Sequence, residues 1–302
     1  MIIFWKWKFN LRGNYILEGY KNMEKAKVYF SDLRALPGTN LPGKLKKLIR
    51  KAGIGEIDFE KKMTAIKIHF GEPGNLSYLR PNWAKAVADV VKELGGRPFL
   101  TDCNTLYVGR RKDALEHIES AYENGFTPFS TGCQVIIADG LKGTDETYVP
   151  VEGGELVKDA KIGTAIMDAD VFISLNHFKG HEATGFGGAL KNIGMGCGSR
   201  AGKMEMHNSG KPSVDQERCV GCRTCAKNCA HGAISFDENR RASIDHSRCV
   251  GCGRCLGSCN FDAIYNENSS AVKELDMKIA EYSKAVLDGR PNFHINLVID
   301  IS

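Results

Sequence analysis

The chain has 302 residues, of which 42% are apolar and 25% charged, as in an ordinary soluble globular protein. A chain of this length can bury a sizeable core without needing disulfides. The formal net charge is only +5, and the basic run at 44–47 is typical of a solvated helix face, so composition excludes a nucleic-acid partner.

Residues 1–22 are predicted to be an N-terminal extension. Their apolar run is interrupted at Lys6 and Lys8 and is too short for a transmembrane helix. The segment also lacks the apolar core and cleavage site of a signal peptide, so no membrane partner is expected. Met23 opens the first predicted domain, 23–208. A native extension and a wrongly assigned start both remain open for residues 1–22.

Short apolar runs then alternate with amphipathic stretches. Strands are predicted over 65–70, 98–101, 133–138 and 171–175. Helices are predicted over 81–94, 111–124 and 159–168. This alternation predicts an α/β fold, a mostly parallel sheet with helices on both faces. Ligands of such folds bind outside the carboxyl ends of the strands, where residues 102–105 and 176–177 fall.

A glycine-rich stretch, 180–203, follows the last of these strands. The catalytic candidates are His177, His181 and Lys191, because a histidine–lysine pair can move a proton beside a carbonyl or bind an anionic substrate. The residues predicted to bind a further metal or nucleotide cofactor are Gly185, Gly187, Gly188 and His207.

Structural roles explain the same residues: glycines that pack a strand–helix crossing, histidines bonded within a loop and a lysine on a helix surface. The segment 198–203 is one residue short of a P-loop. Cys197 lies near basic residues that could lower its pKa. Two further cysteines and two histidines are expected to be structural: Cys103, Cys133, His69 and His117.

Eight of the eleven cysteines form two C-x2-C-x2-C-x3-C runs. In this spacing three thiolates wrap three irons of a cubane and the fourth reaches the other cluster. Two [4Fe–4S] clusters are therefore predicted. The first would be bound by Cys219, Cys222, Cys225 and Cys259, and the second by Cys249, Cys252, Cys255 and Cys229.

Zinc is the alternative metal, but zinc sites usually pair two C-x2-C motifs across a longer gap. With a turn at 237–239 between apolar flanks, the segment 209–265 resembles bacterial two-cluster ferredoxins. It departs from them at Ala230 and Asn260, where they have proline. Reduced thiolates imply a cytoplasmic protein. Two clusters of roughly −2 each would bring the net charge near roughly +1.

After this segment a helix is predicted over 271–287 and a strand over 294–301. Residues 266–302 are expected to return to the main sheet, which makes 209–265 an insert.

Several long motifs resemble the DUF362 family of iron–sulfur proteins. They are IKIHFGEPGN, TDCNTLYVGRR and SLNHFKGHEATGFGGALKNIGMGCGSRAGK, together with the two cysteine runs. The resemblance extends over about residues 25–301 and implies iron–sulfur binding. Members of that family usually continue past the final strand, which leaves open whether a C-terminal portion is missing here.

A weaker resemblance is to nickel-pincer lactate racemases. His181, Gly185, Phe186 and Lys191 match the spacing of a motif in which the lysine holds a nickel-bearing nucleotide, and His207 follows at a suitable distance. The racemases lack the cysteine insert, and their other catalytic histidine has no counterpart. This resemblance implies a shared fold and site position but no racemase activity.

Three functions are therefore considered. The first is electron transfer within a redox enzyme or redox subunit, with a low-potential donor or acceptor protein and a small anionic substrate. The second is a dedicated electron carrier or assembly protein. The third is an isomerase-like enzyme with a pincer-type metal cofactor.

Overall fold

The fold is described from a computed structural model that covers residues 2–5, 27–106, 109–181, 184–208, 211–249, 253–265 and 272–300. The strands are β1 (Ile2–Trp5), β2 (Val28–Ser31), β3 (Met63–Lys67), β4 (Arg97–Asp102), β5 (Gln134–Ile137), β6 (Glu146–Pro150), β7 (Asp159–Gly163), β8 (Val171–His177), β9 (Lys179–His181), β10 (Gly185–Gly187), β11 (Ser213–Val214), β12 (Ile234–Phe236), β13 (Ala242–Ile244), β14 (Ile264–Tyr265) and β15 (Asn292–Leu297).

The helices are α1 (Leu41–Lys51), α2 (Pro81–Glu93), α3 (Ala114–Glu123), α4 (Pro128–Thr131), α5 (Thr164–Met167), α6 (Ala189–Cys197), α7 (Arg200–Asn208), α8 (Thr224–Lys227), α9 (Arg254–Gly257) and α10 (Val272–Leu287). Pro81 stands in the first turn of α2, where its missing N–H costs no hydrogen bond.

The main sheet has the strand order β2-β1-β15-β8-β3-β4-β5. The five strands from β15 to β5 are parallel, and β1 pairs antiparallel with both β15 and β2. The sequence therefore predicted the mostly parallel α/β fold correctly. Of residues 1–22, the described part contains only 2–5, which form β1.

Two apolar cores cover the two faces of the sheet. One is formed with α1, α2 and α3, and the other with α6, α10 and the β6–β7 ribbon. Helices on both faces were predicted, and the structure confirms them. The strand predicted at the C-terminal end also returns to the sheet, as β15 beside β8.

The predicted helix over 159–168 is wrong. Residues 159–163 form β7, which pairs antiparallel with β6, and only the single turn of α5 follows. Ala160 and Ile162 are buried while Asp159 and Lys161 are partly exposed, which is the period-two pattern of a strand. The alternation of buried and exposed residues extends over only five residues and leads directly into α5. The sequence pattern therefore does not distinguish β7 from the start of that helical turn.

Residues 211–249 and 253–265 make up a small unit between α7 and α10, called here the cysteine unit. The two cysteine runs repeat at an interval of 30 residues, and α8 and α9 occupy equivalent places in the two repeats. The strands interleave: β11 pairs with β14, and β12 pairs with β13. Each repeat thus contributes half of both ribbons.

Candidate functional site

The order in which the chain adds parallel strands to the sheet reverses between β3 and β8. From β3 the chain moves to β4 and β5 on one side, and then crosses to β8 and β15 on the other. In open α/β sheets the crevice outside the carboxyl ends at such a point is where ligands bind. The region is called here the switch-point crevice; it is bounded by the ends of β3, β4 and β8 and the first turn of α6.

A buried ion pair lies in this crevice. Lys67, the last residue of β3, is only 1% exposed, and its Nζ lies 3.0 Å from Asp102 Oδ1 at the end of β4. Lys67 Nζ also donates to Asn192 Oδ1 of α6 at 2.7 Å. A Cβ at Gly196 would lie 2.6 Å from this nitrogen, so only glycine leaves room for it. The lysine is therefore fixed by three elements.

The second carboxylate oxygen of Asp102 has no hydrogen-bond partner among the described residues. It lies 3.6 Å from Arg111 Nη1 and 3.8 Å from His117 Nε2, which is likewise buried and without a partner. Burial opposes ionisation of Asp102, but Lys67, His117 and Arg111 hold its pKa below the usual value. Burial lowers the pKa of His117 to about 3, so this imidazole is neutral at pH 7.

Arg111 connects this group to the surface. Its Nε donates to Glu72 Oε1 at 2.8 Å, and Glu72 is nearly half exposed. His69 follows β3, is exposed, and accepts a hydrogen bond on Nδ1 from the Gly71 N–H at 2.9 Å. Desolvation by the surrounding protein and then the charge of Arg111 hold the pKa of His69 well below its usual value, so the ring is neutral at pH 7.

The structure brings together three of the predicted site residues. His181 Nε2 contacts Lys191 Nζ across the hairpin of β9 and β10. His181 Nδ1 accepts from the Thr184 N–H at 3.2 Å, so a neutral ring carries its proton on Nε2, facing the lysine. The two nitrogens therefore face each other in hydrogen-bonding contact. Burial and then Lys191 lower the pKa of His207 to about 4, which places this histidine near the same lysine.

The remaining predicted residues lie around this pair. His177 ends β8, and its Nε2 lies 2.6 Å from the Ile299 carbonyl oxygen, away from Lys191. Gly185 and Gly187 belong to β10, and Gly188 caps the N-terminus of α6. Gly185 has φ +70°, a conformation that favours glycine.

Cys197 does not have the lowered pKa expected from its basic neighbours. The thiol is completely buried at the end of α6, and burial raises its pKa to about 11. Burial also raises the pKa of Cys103 and Cys133. These three thiols are therefore unreactive, and Cys103 donates to the Cys197 carbonyl oxygen at 3.3 Å.

The cysteines of the two runs surround two hollows in a crossed arrangement. The first hollow is lined by Cys219, Cys222 and Cys225 from the first run and by Cys259 from the second. The pKa of Cys225 is raised mainly by burial and further by the charges of the other three cysteines of this hollow. These three cysteines therefore lie close to Cys225.

The second hollow is lined by Cys249 and Cys255 from the second run and by Cys229 from the first. Cys252 lies outside the described residues. No three His, Cys, Asp or Glu side chains in the described ranges converge on a point from which they could hold one metal ion. The sulfurs stand around the hollows instead.

The cysteine unit contacts the α/β body through two cations. Lys112 Nζ donates to the Cys259 carbonyl oxygen at 3.0 Å and pairs with Asp262. Arg200 is completely buried and donates to the carbonyl oxygens of Lys142, Thr105 and Lys112. Because Lys112 follows Arg111 in the chain, the unit and the switch-point crevice are joined over two consecutive residues.

The model of a family described as a domain of unknown function, DUF362, matches residues 64–302. The chain belongs to the DUF362 family. The matched DUF362 region includes both the switch-point crevice, from Lys67 onward, and the whole cysteine unit.

Other similarities to this DUF362 chain are partial. The thylakoid-associated protein sll1697 of Synechocystis is 29% identical over 131 residues, which are 41% of this chain and 35% of that protein. The match thus spans about a third of the relative's length.

Two solved structures are also similar. The lactate racemase apoprotein of Thermoanaerobacterium thermosaccharolyticum has a TM-score of 0.39 and 11% identity, over 82% of this chain and 52% of that one. A protein of Thermotoga maritima has a TM-score of 0.35 and 16% identity, over 55% of this chain and 42% of that one. Both TM-scores are too low to support an inference about fold or function.

Sequence reasoning missed the centre of the DUF362 crevice. Asp102 was expected near the ligand-binding edge of the sheet, but Lys67 and Arg111 were not predicted as site residues, and His69 and His117 were expected to be structural. The available signal was a lysine inside the apolar strand, in AIKIHF, because parallel strands covered on both faces are normally apolar. In the described part of the chain, no helix is long and apolar enough to cross a membrane.

Proposed function

We propose that this DUF362 protein binds two [4Fe–4S] clusters in the cysteine unit and passes single electrons to a substrate or second cofactor in the switch-point crevice. The observation that supports this most strongly is the crossed lining of the two hollows, in which Cys259 joins the first run and Cys229 joins the second. An exchange of the fourth cysteine between two runs is the ligand pattern of two-cluster ferredoxins.

The donor set fits cubane clusters. In a cubane each thiolate binds a different iron, so the sulfurs surround the cluster rather than converge on one ion. The first hollow has four cysteines around apolar neighbours such as Ala263 and Ile264. Cys252 would complete the second set. When bound, the clusters would supply one-electron chemistry at low potential.

Backbone N–H groups support the sulfurs. Ala242 N donates to Cys219 Sγ at 3.3 Å, and Ala233 N donates to Cys229 Sγ at 3.4 Å. Hydrogen bonds to ligand sulfurs stabilise their negative charge and help to set the reduction potential. Thr224, through its hydroxyl and backbone, lowers the pKa of the exposed Cys222 thiol, which favours the thiolate that a metal requires.

The switch-point crevice contributes groups that can carry protons and bind a substrate, which the clusters do not provide. Reduction of an organic substrate consumes protons, and the His181–Lys191 pair places two groups that can carry a proton in contact with each other. The cationic groups around the crevice favour a small anionic substrate.

Iron and sulfide analysis of the anaerobically purified protein tests the proposal. We expect about eight irons and eight sulfides per chain. Cys222→Ser and Cys259→Ser should abolish the same electron paramagnetic resonance signal, whereas Cys229→Ser should abolish the other. Cys103→Ser, outside the unit, is the matched control and should retain both. Zinc in place of iron, or paired losses that follow the runs instead of crossing them, would contradict the assignment.

A second candidate function is an isomerase-like enzyme with a metal-bearing nucleotide held on Lys191. The proximity of His181, Lys191 and His207 favours it. A mass increase on the Lys191 peptide, with nickel near stoichiometry, would support this function. If His181→Gln and Lys191→Met leave every redox reaction unchanged, a dedicated electron carrier becomes the better description.

A further inference from the structure

The two repeats of the cysteine unit differ on one face of their helices. At the 30-residue interval, Arg223 and Lys227 of the first repeat correspond to Gly253 and Gly257 of the second. Arg223 and Gly253 occupy the same position before their helices and share a left-handed conformation, with φ +63° and +68°. The backbones are therefore alike, and the difference lies in the side chains.

The glycine pair receives a side chain from the α/β body. A Cβ at Gly253 would lie 2.7 Å from Cγ and Cδ of Arg200, and a Cβ at Gly257 would lie 3.2 Å from its Cζ. Arg200 thus fills the space over α9, and this face of the unit is buried against the body. It is closed to any other protein.

The equivalent face of α8 is open to solvent. Arg223 and Lys227 are exposed, and neither forms an ion pair with a described carboxylate. The Arg223 guanidinium lies over the Phe236 ring, 5.4 Å from its centroid. Cys222 between the loop and the helix is also exposed, and Val220 is 55% exposed.

Positive charge continues beside the loop. Arg240 is exposed and packs against Gly221, where a Cβ would lie 2.8 Å from the Arg240 Cβ. Arg218 is also exposed but forms an ion pair with Asp215 at 3.4 Å, and Glu217 adds one negative charge. Asp237 and Glu238 are exposed in the same turn as Arg240 and offset its charge. The positive charge of this face, called here the α8 face, therefore comes mainly from Arg223 and Lys227.

We propose that the α8 face is the docking surface for an acidic one-electron carrier protein, which exchanges electrons through the cluster of Cys219, Cys222, Cys225 and Cys259. This inference rests on the proposed function for the clusters themselves. One electron passes between the reduced and the oxidised centre, and no bond is made or broken. Exposed Cys222 brings the cluster to the surface, and the cations attract and orient a negative partner.

A small, charge-guided contact suits a transient redox encounter. The side of α9 that faces the α/β body is occupied by Arg200, so the two repeats have different roles. The first repeat meets the partner, and the second is held against the α/β body.

The test uses the full iron-loaded chain and a reduced, negatively charged bacterial two-cluster ferredoxin as the probe. The second-order rate constant of electron transfer is measured by anaerobic stopped flow at several salt concentrations. Arg223→Glu combined with Lys227→Glu should lower it about tenfold or more at low salt and flatten its salt dependence. The Gln/Gln pair should give an intermediate rate.

The matched control is Lys47→Glu with Lys51→Glu on α1, an exposed pair with the same spacing and charge change. It should react at nearly the wild-type rate. Iron content is counted first: absence of iron from the wild type would refute the proposed function itself. Full iron with unchanged rates in the α8 variants, or equal losses in both pairs, would refute the docking surface.

Discussion

Lys67 and Asp102 are charged side chains in a position where a parallel sheet normally has apolar ones. Removing two charges from water costs several kcal/mol per ion, and their attraction repays this only with good geometry and further hydrogen bonds. Here the geometry is a 3.0 Å contact, and Asn192 satisfies a second lysine hydrogen. Burial of the pair therefore costs free energy of desolvation, and its geometry is well defined, as expected for a site that binds or orients a ligand.

Asp102→Asn should destabilise the protein by about 3–5 kcal/mol, because it leaves a buried Lys67 without its counter-charge. The free energy of unfolding in urea measures this loss. Asp89→Asn is the control: that carboxylate pairs with Lys46 and Lys85 on the surface, and its loss should cost about 1 kcal/mol or less. Equal stability of the two variants would mean that Lys67 is neutral in the fold.

At the scale of elements, the periodicity of apolar residues and the glycines and prolines at element ends were enough to predict most of the main sheet. Apolar runs bounded by glycine and proline predicted β3, β4, β5 and β8, together with helices α2 and α3. The short strand β7 was not predicted, because an alternation of only five residues resembles the first turn of a helix. The crevice network could not be predicted, because Lys67 meets its partners 35 and 125 residues away. The crossed arrangement of the cysteines around two hollows could be predicted, because the spacing of the two runs is that of two-cluster ferredoxins.

The contact of α6 with α10 depends on one glycine. A Cβ at Gly194 would collide with the backbone carbonyl of Ile279, which cannot move like a side chain. Gly194→Ala should therefore force the helices apart and cost about 1–3 kcal/mol, measured by urea unfolding. Gly55→Ala, where a Cβ meets nothing within 4 Å, is the control and should change stability little. A neutral Gly194 variant would mean that α6 shifts without loss, with Lys191 and Asn192 moving along with it.

At the scale of the whole molecule, Arg200 joins the cysteine unit to the α/β body. It binds three backbone carbonyls of the body and fills the glycine groove of α9. Burial lowers the pKa of Arg200, whereas the nearby Asp139, Asp113 and Cys255 raise it. A buried cation this close to Cys255 favours the more negative, reduced form of any cluster bound there.

If the proposed clusters are bound, Arg200→Met should lower the reduction potential of the one at Cys249 by on the order of tens of millivolts, and leave the other nearly unchanged. Potentiometric titration followed by electron paramagnetic resonance separates the two. Arg200→Lys keeps the charge and should shift the potential less, which distinguishes charge from packing. Equal shifts of both signals in Arg200→Met would point to a general loosening of the unit.

The position of β15 affects how the nascent chain can assemble. This strand lies between β8 and β1 in the sheet, yet it follows the cysteine unit in sequence. While the ribosome is still synthesising residues 292–297, β1 and β2 have no bonded neighbour on the side of β8. Both cysteine runs have by then been completed. The sheet can therefore close around β15 only after both runs have been synthesised, so the cysteine unit and the body are completed together.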